Sequence, residues 1–363
     1  MSWLLAFVGF ALLVILHELG HFTAAKAVGM RVEKFSLFFP PTLLKKKVGE
    51  TEYAVGAIPA GGYVKITGMN PDEKLPDEVR TRAYYSQPVW KRIVVIAAGP
   101  AVNLVLAFLL MFVFFWAIGP QETTGRIAQI ERGMPAAGKL EPGDRLIAVD
   151  GVRGSPEALS AQIQEHRCAG TPRDGCKAAT PATLLINRNG QRRSLEVTPV
   201  YDSDLEGQDP RTRLGFSFAA DGDHITLPPG RALDVATDQF WRITKATVEL
   251  PARLIDPAKR EEISGIVGSY EVTRQTILND VADAVAILAI ISLSLAIVNL
   301  FPFLPLDGGH IFWAIVEKIR RKPVPFSVME RAGVVGFMLV ILIFLVGLSN
   351  DIDRLSGEGF QVP

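Results

Sequence analysis

His17-Glu18-Leu19-Gly20-His21 sets two imidazoles four residues apart with a carboxylate next to the first. On a helix the two histidines share one face and reach a single metal ion. The glutamate then stands where a general base would take a proton from a water that the ion acidifies, chemistry suited to breaking a peptide bond. The setting is unusual for such chemistry. Residues Trp3 to Leu16 are almost wholly apolar, and at 1.5 Å rise per residue His17 falls roughly 20 Å along a helix that matches a hydrocarbon core about 30 Å thick. An ionisable side chain at that depth costs on the order of 2.5 to 3.5 kcal/mol on insertion scales, so three on one turn call for a compensating ligand, which zinc would supply. Two other readings compete. One is a soluble amphipathic helix that carries the motif by coincidence. The other is an N-terminal signal peptide, against which stand the lack of a basic leader and of a small-residue cleavage site.

A catalytic zinc takes three protein ligands and leaves a fourth position open. The stretch Asn299-Leu-Phe-Pro302-Phe-Leu-Pro-Leu-Asp307-Gly308-Gly309-His310 offers the third. Pro302 and Pro305 end a helix just before Asp307, and irregular backbone at membrane depth is tolerated only where it is buried in protein or lines a watery cavity. His310 is a rival ligand. Asp307 is preferred because it gives two histidines and one carboxylate, with water as the fourth ligand. The competing reading is an ordinary turn at the membrane surface.

These groups need a scaffold, and the rest of the sequence describes one. Hydrophobic residues make up 48% of the chain, mean hydropathy is +0.24 and the formal net charge is +0, a balance that carries no nucleic-acid footprint. Apolar stretches long enough to span a membrane lie at about 2–24, 93–118, 281–301 and 332–348. Lys26, Arg31, Lys34, Lys45, Lys46, Lys47, Lys65, Lys91 and Arg92 follow the first stretch, and Lys318, Arg320, Arg321 and Lys322 precede the fourth. Both loops therefore belong on the cytoplasmic side, and the long segment from Pro120 to about Asn279 on the other. Cys168 and Cys176 fall in that exterior segment, where either a disulfide or a pair of buried thiols is consistent with the spacing.

HELGH in the first span together with NLFPFLPLDGGH in the third resembles the site-2 protease family of intramembrane metalloproteases. The resemblance covers most of the chain. It implies His17, His21 and Asp307 as zinc ligands and Glu18 as catalytic base, with Asn299 and Pro302 shaping the substrate passage. Gly99-Pro100-Ala101-Val102-Asn103 is similar to the family's GPxxN segment, whose small residues let helices approach closely. Tyr53 to Ile66 alternates and bends at glycines like a β-hairpin. It resembles the family's membrane re-entrant β-element, in which Gly61, Gly62 and Tyr63 would meet an unwound substrate strand. Gly125 to Gly151, a helical stretch at Glu157 to His166, and strands at Ala182–Ile186 and Ser194–Val197 resemble a PDZ domain, a peptide binder or a steric filter. Gly222-Asp223-His224-Ile225 faintly echoes a second such domain, but Pro228 and Pro229 interrupt it.

The expected fold is thus a polytopic α-helical membrane protein of about four transmembrane helices, with a re-entrant β-hairpin and an inserted extracytoplasmic PDZ domain. Its expected parts are an N-terminal membrane half at 1–118 with the β-element at about 50–68, and the PDZ domain at 120–200. A linker at 201–279 follows, with an amphipathic helix at Ala232 to Leu254, then a C-terminal membrane half at 280–350. Gly265-Ile-Val-Gly268 resembles a segment before the family's third span. The resemblance implies a zinc-dependent protease of a bacterial cytoplasmic membrane, with its active site toward the cytoplasm. Its substrates would be single-span membrane proteins, such as anti-sigma factors already shortened by an exterior cleavage. A catalytically inactive scaffold with a peptide-binding PDZ domain is the alternative. A metal transporter fits less well, because a second set of intramembrane ligands along a path is missing.

Overall fold

The computed structural model of the chain describes residues 2–70, 73–203, 211–253 and 282–356. Among these the helices are, in order, α1 (Ser2–Ala27), α2 (Asp77–Arg80), α3 (Val89–Val113), α4 (Pro156–Gln164), α5 (Pro229–Arg253), α6 (Asp283–Asn299), α7 (Asp307–Arg320) and α8 (Phe326–Ser356). The strands are β1 (Val32–Val48), β2 (Thr51–Ile66), β3 (Gln121–Ile130), β4 (Arg145–Val149), β5 (Ala182–Arg188), β6 (Gln191–Val197), β7 (Val200–Asp202), β8 (Arg211–Arg213) and β9 (Phe216–His224). The chain divides into two compact units, Met1–Ala117 with Leu227–Val362, and Ile118–Thr226.

In the first unit, stretches long and apolar enough to cross a membrane lie at Phe7–Ala27, Val89–Ile118 and Ser327–Ile352. The remaining expected crossing, 281–301, is α6, an apolar helix of 17 residues. It ends at Asn299, three residues before Pro302, whose ring nitrogen cannot donate to a continuing helix. Small residues set the helix spacing. A Cβ on Gly9 of α1 would stand 2.8 Å from the Leu288 side chain of α6, and one on Gly20 would stand 2.6 Å from the Ala98 carbonyl of α3. Ala107 and Met111 of α3, Ala289, Leu293 and Ile297 of α6, and Ala236 of α5 form one buried cluster. The amphipathic stretch expected from Ala232 falls in α5 up to Arg253, which turns Ala232 and Ala236 inward and leaves Trp241 68% exposed. Gly265–Gly268 lies outside the described residues.

The β-element is not a simple hairpin of residues 53–66. β1 and β2 form a two-stranded sheet with a broken register, in which Lys34 to Leu37 face Glu52 to Val55 on one side and Gly62 to Lys65 on the other. The two halves of β2 therefore flank β1 instead of pairing with each other. The upstream segment Val32–Leu37 supplies the middle partner, and its Val32, Phe35 and Ser36 are buried. Among the described residues, the outer edge of the Gly61–Ile66 segment has no strand beside it.

The second unit is a five-stranded antiparallel sheet in the order β6-β5-β4-β3-β9, with a two-stranded ribbon β7-β8. Its core is Ile127, Leu146, Val149, Leu184, Ile186, Val197 and Leu214, covered by Leu159 and Ile163 of α4. Pro156 opens α4 behind Ser155, whose hydroxyl accepts from the Ala158 N–H. The sheet continues past residue 200: β9 pairs with β3, from Gln121 opposite His224 to Ile130 opposite Phe216. Gly222, Asp223 and His224 thus belong to this same sheet. Cys168 and Cys176 are joined as a disulfide, closing the loop between α4 and β5.

Candidate metal centre and active site

α1 presents His17 and His21 on one face, and α7 brings Asp307 to them from the far end of the chain. His17 Nε2 lies 3.2 Å and His21 Nε2 3.3 Å from Asp307 Oδ2, and the two imidazole nitrogens are 3.2 Å apart. Both histidines are buried, at 7% and 8% exposure. His21 Nδ1 donates to the Val95 carbonyl of α3 at 2.9 Å, so in the neutral ring Nε2 carries a lone pair. That lone pair points into a space shared with a buried carboxylate oxygen that has no hydrogen-bond partner among the described residues. Electron pairs converging this closely, without a proton between them, repel one another unless a cation sits among them. The three residues are a metal-competent group, with ligand atoms within 4.8 Å of one another.

Local sequence explains how Asp307 arrives. It is the first residue of α7, where a carboxylate is favoured by the helix dipole. Gly308 and Gly309 let the start of α7 press on the preceding loop: a Cβ at either would stand 2.1 Å from the Leu300 carbonyl or 2.4 Å from the Leu304 nitrogen. Further along α7, Glu317 accepts a bidentate pair from Arg92 of α3 at 2.9 and 2.6 Å, with the Arg92 side chain only 9% exposed. The guanidinium also lies over the ring of Tyr84, a phenol whose ionisation burial pushes upward. α7 is therefore fixed at both ends. His310, the rival ligand, is half-buried and stands outside the metal-competent group.

Glu18 lines the same cavity, of about 440 Å³, as the three candidate ligands. A Cβ on Gly62 would approach Glu18 Cγ to 3.0 Å, so the missing side chain gives the carboxylate its place beside β2. Gly61 has φ of +155 and lies against the ring of Phe39. Gly61, Gly62, Tyr63 and Asn299 all line the cavity. Pro302 does not, and Pro305 lines the cavity instead. Sequence reading missed Phe10 and Val14 of α1 and Leu295 of α6. Helical spacing was the available signal, since Phe10, Val14 and His17 recur at intervals of three and four.

Away from the membrane helices, Glu50 at the turn between β1 and β2 receives Arg82 and Lys26, at 2.8 and 2.7 Å. These cations hold its carboxyl down at about 2. In the second unit the Arg188 guanidinium likewise holds Asp144 below the usual carboxylate range.

The family model described as Peptidase family M50 matches residues 5–343. A protein of Nostoc sp. named "Putative zinc metalloprotease" is 30% identical over 96% of this chain and 93% of its own length. A protein of Campylobacter jejuni bearing the same description is 27% identical over 95% and 92%, and Metalloprotease MmpA of Caulobacter vibrioides is 28% identical over 95% and 93%. With a matched span that takes in both the HELGH helix and Asp307, the chain belongs to peptidase family M50, the site-2 protease family.

Proposed function

We infer that this protein is a zinc-dependent intramembrane endopeptidase, with His17, His21 and Asp307 as metal ligands and Glu18 as catalytic base. The triangle of candidate ligand atoms carries the reading. A tetrahedral zinc with bonds of about 2.0 to 2.1 Å has ligand–ligand edges of about 3.3 to 3.4 Å, close to the 3.2 to 3.3 Å separations among His17, His21 and Asp307. Zinc, when bound, polarises the scissile carbonyl and acidifies the attacking water to a pKa of about 7. Glu18 takes a proton from that water and returns it to the departing amine. Asn299 and the Gly61–Tyr63 segment orient the peptide across the cavity. Pro302, the other position expected along the substrate passage, would act from outside the lining by ending α6.

A peptide bond inside a transmembrane helix is hydrogen-bonded and shielded, so the substrate must unwind before attack. The free edge of Gly61–Ile66 supports a solution by strand addition, the incoming chain replacing helical hydrogen bonds with bonds to β2. The substrates are single-span membrane proteins, such as membrane-anchored anti-sigma factors in regulated proteolysis. The protein sits in a bacterial cytoplasmic membrane with the basic loops inside and the second unit outside. That unit's five-stranded sheet with one covering helix supports its reading as a PDZ domain, acting as a peptide binder or size filter.

Cleavage of a model single-span substrate by purified protein in detergent tests this. Glu18→Gln retains zinc and loses cleavage, and 1,10-phenanthroline abolishes wild-type cleavage. Zinc without cleavage of any substrate by the wild type would instead favour an inactive scaffold.

A further inference from the structure

Asn103 is fully buried in α3, and neither its Oδ1 nor its Nδ2 has a hydrogen-bond partner among the described residues. Amide atoms left unsatisfied in an apolar bundle carry their full desolvation penalty, so the side chain needs a purpose that packing does not provide. A second buried polar atom nearby has the same problem: His17 Nδ1 has no partner either.

Helix geometry brings these orphans together. α1 and α3 pack antiparallel, Lys91 at the start of α3 donating to the Val28 carbonyl just past the end of α1, with Gly20 against Ala98 and the His21 ring against Gly99, where a Cβ would stand 2.2 Å from Nε2. One turn back along α1 from His21 is His17. One turn forward along α3 from Gly99 is Asn103. The same pair of faces therefore sets Asn103 toward His17 as it sets Gly99 toward His21. From α6, the buried Ser292 hydroxyl donates to the Asn103 carbonyl at 2.9 Å and pins that residue's backbone in place. The two candidate ligand histidines differ in one respect. His21 already gives its Nδ1–H to Val95, whereas His17 has no acceptor.

We propose that Asn103 is the positioning residue for His17: its Oδ1 accepts the Nδ1–H of His17 through one bridging water and fixes the ring so that Nε2 faces the metal. This rests on the assignment of His17 as a ligand. Partners of this kind set the tautomer and orientation of a ligating histidine, and losing one lowers metal affinity by about 10- to 100-fold.

The test is zinc affinity of the full-length protein in detergent, measured by competition with a chelating dye, alongside the visible spectrum of the cobalt-substituted form. Asn103→Leu, close in size and unable to accept, weakens zinc binding by about 10- to 100-fold and alters the cobalt ligand-field bands. Unchanged affinity together with an unchanged spectrum overturns the proposal. If the leucine variant does not fold, the cobalt-substituted wild type carries the test by NMR. The hyperfine-shifted Nδ1–H of His17 exchanges with solvent as slowly as that of His21 if Asn103 holds it, and rapid exchange at His17 alone refutes it. Failure of the wild type to bind any zinc would sink the metalloprotease reading itself, a distinct outcome.

Discussion

Gly99→Ala is a sharp probe of the metal centre because the three atoms nearest the added methyl all belong to one imidazole. Its Cβ would lie 2.2, 2.6 and 2.8 Å from Nε2, Cε1 and Cδ2 of His21, whereas ordinary contact begins at 3.4 Å. The ring must retreat by roughly 1 Å, several times the tolerance of about 0.2 Å within which metal–ligand distances are held. Moving it also breaks the Nδ1 bond to Val95 that fixes its tautomer. Loss of one of three ligands together with its orienting partner lowers zinc affinity at least about 100-fold, while Ala, a better helix former than Gly, leaves α3 intact. Metal content and a zinc competition titration on purified protein measure this. Gly20→Ala is the control: its Cβ would stand 2.6 Å from a backbone oxygen of α3 that cannot swing away. That variant loses thermal stability first and metal only as a consequence. If Gly99→Ala binds zinc with wild-type affinity, His21 does not coordinate in the orientation described, and the reasoning from this triangle fails.

Other perturbations read other parts of the scaffold. Glu317→Gln leaves the buried Arg92 charge without its bidentate partner and costs about 3 kcal/mol, visible as a lowered unfolding midpoint in detergent and a weakened hold on the helix that carries Asp307. Gly62→Ala sets a methyl 3.0 Å from Glu18 Cγ and 2.9 Å from the Ser36 carbonyl. Cleavage falls about tenfold or more through misplacement of the base, while zinc content stays at the wild-type level. Glu50 titrates at about 2 in the folded protein against 4.5 as its ordinary value. Its depressed folded value means that its stabilisation is complete above pH 4.5 and fades as pH falls toward 2. Screening at this partly exposed site limits the effect to about 1 kcal/mol. Glu50→Gln should abolish that part of the acid dependence in unfolding titrations.

What the sequence determined by itself is local or compositional. The pairing of His17 with His21 follows from the helical repeat. The apolar stretches at 2–24 and 93–118 follow from hydropathy, and α1 and α3 coincide with them to within a few residues, because membrane crossings depend on composition more than on exact neighbours. Strands at 182–186 and 194–197 were legible from alternation.

Tertiary structure decided whatever required two distant segments to meet. Ligand chemistry favoured Asp307 over His310 in the sequence, but spacing could not say how the carboxylate reaches the two histidines. Its position comes from where α7 begins, which the packing of Gly308 and Gly309 on the loop and the Arg92–Glu317 pair control. Pro302 and Pro305 look alike in sequence, and only the path of the loop turns Pro305 toward the cavity. Residues 53–66 read as a self-contained hairpin because alternation and glycines reveal strands and bends but never partners. The middle strand came from Val32–Leu37. Asn103 was visible as part of a glycine-containing packing segment. That it is buried, with neither polar side-chain atom partnered among the described residues, is a property of three helices together and is written in none of them alone.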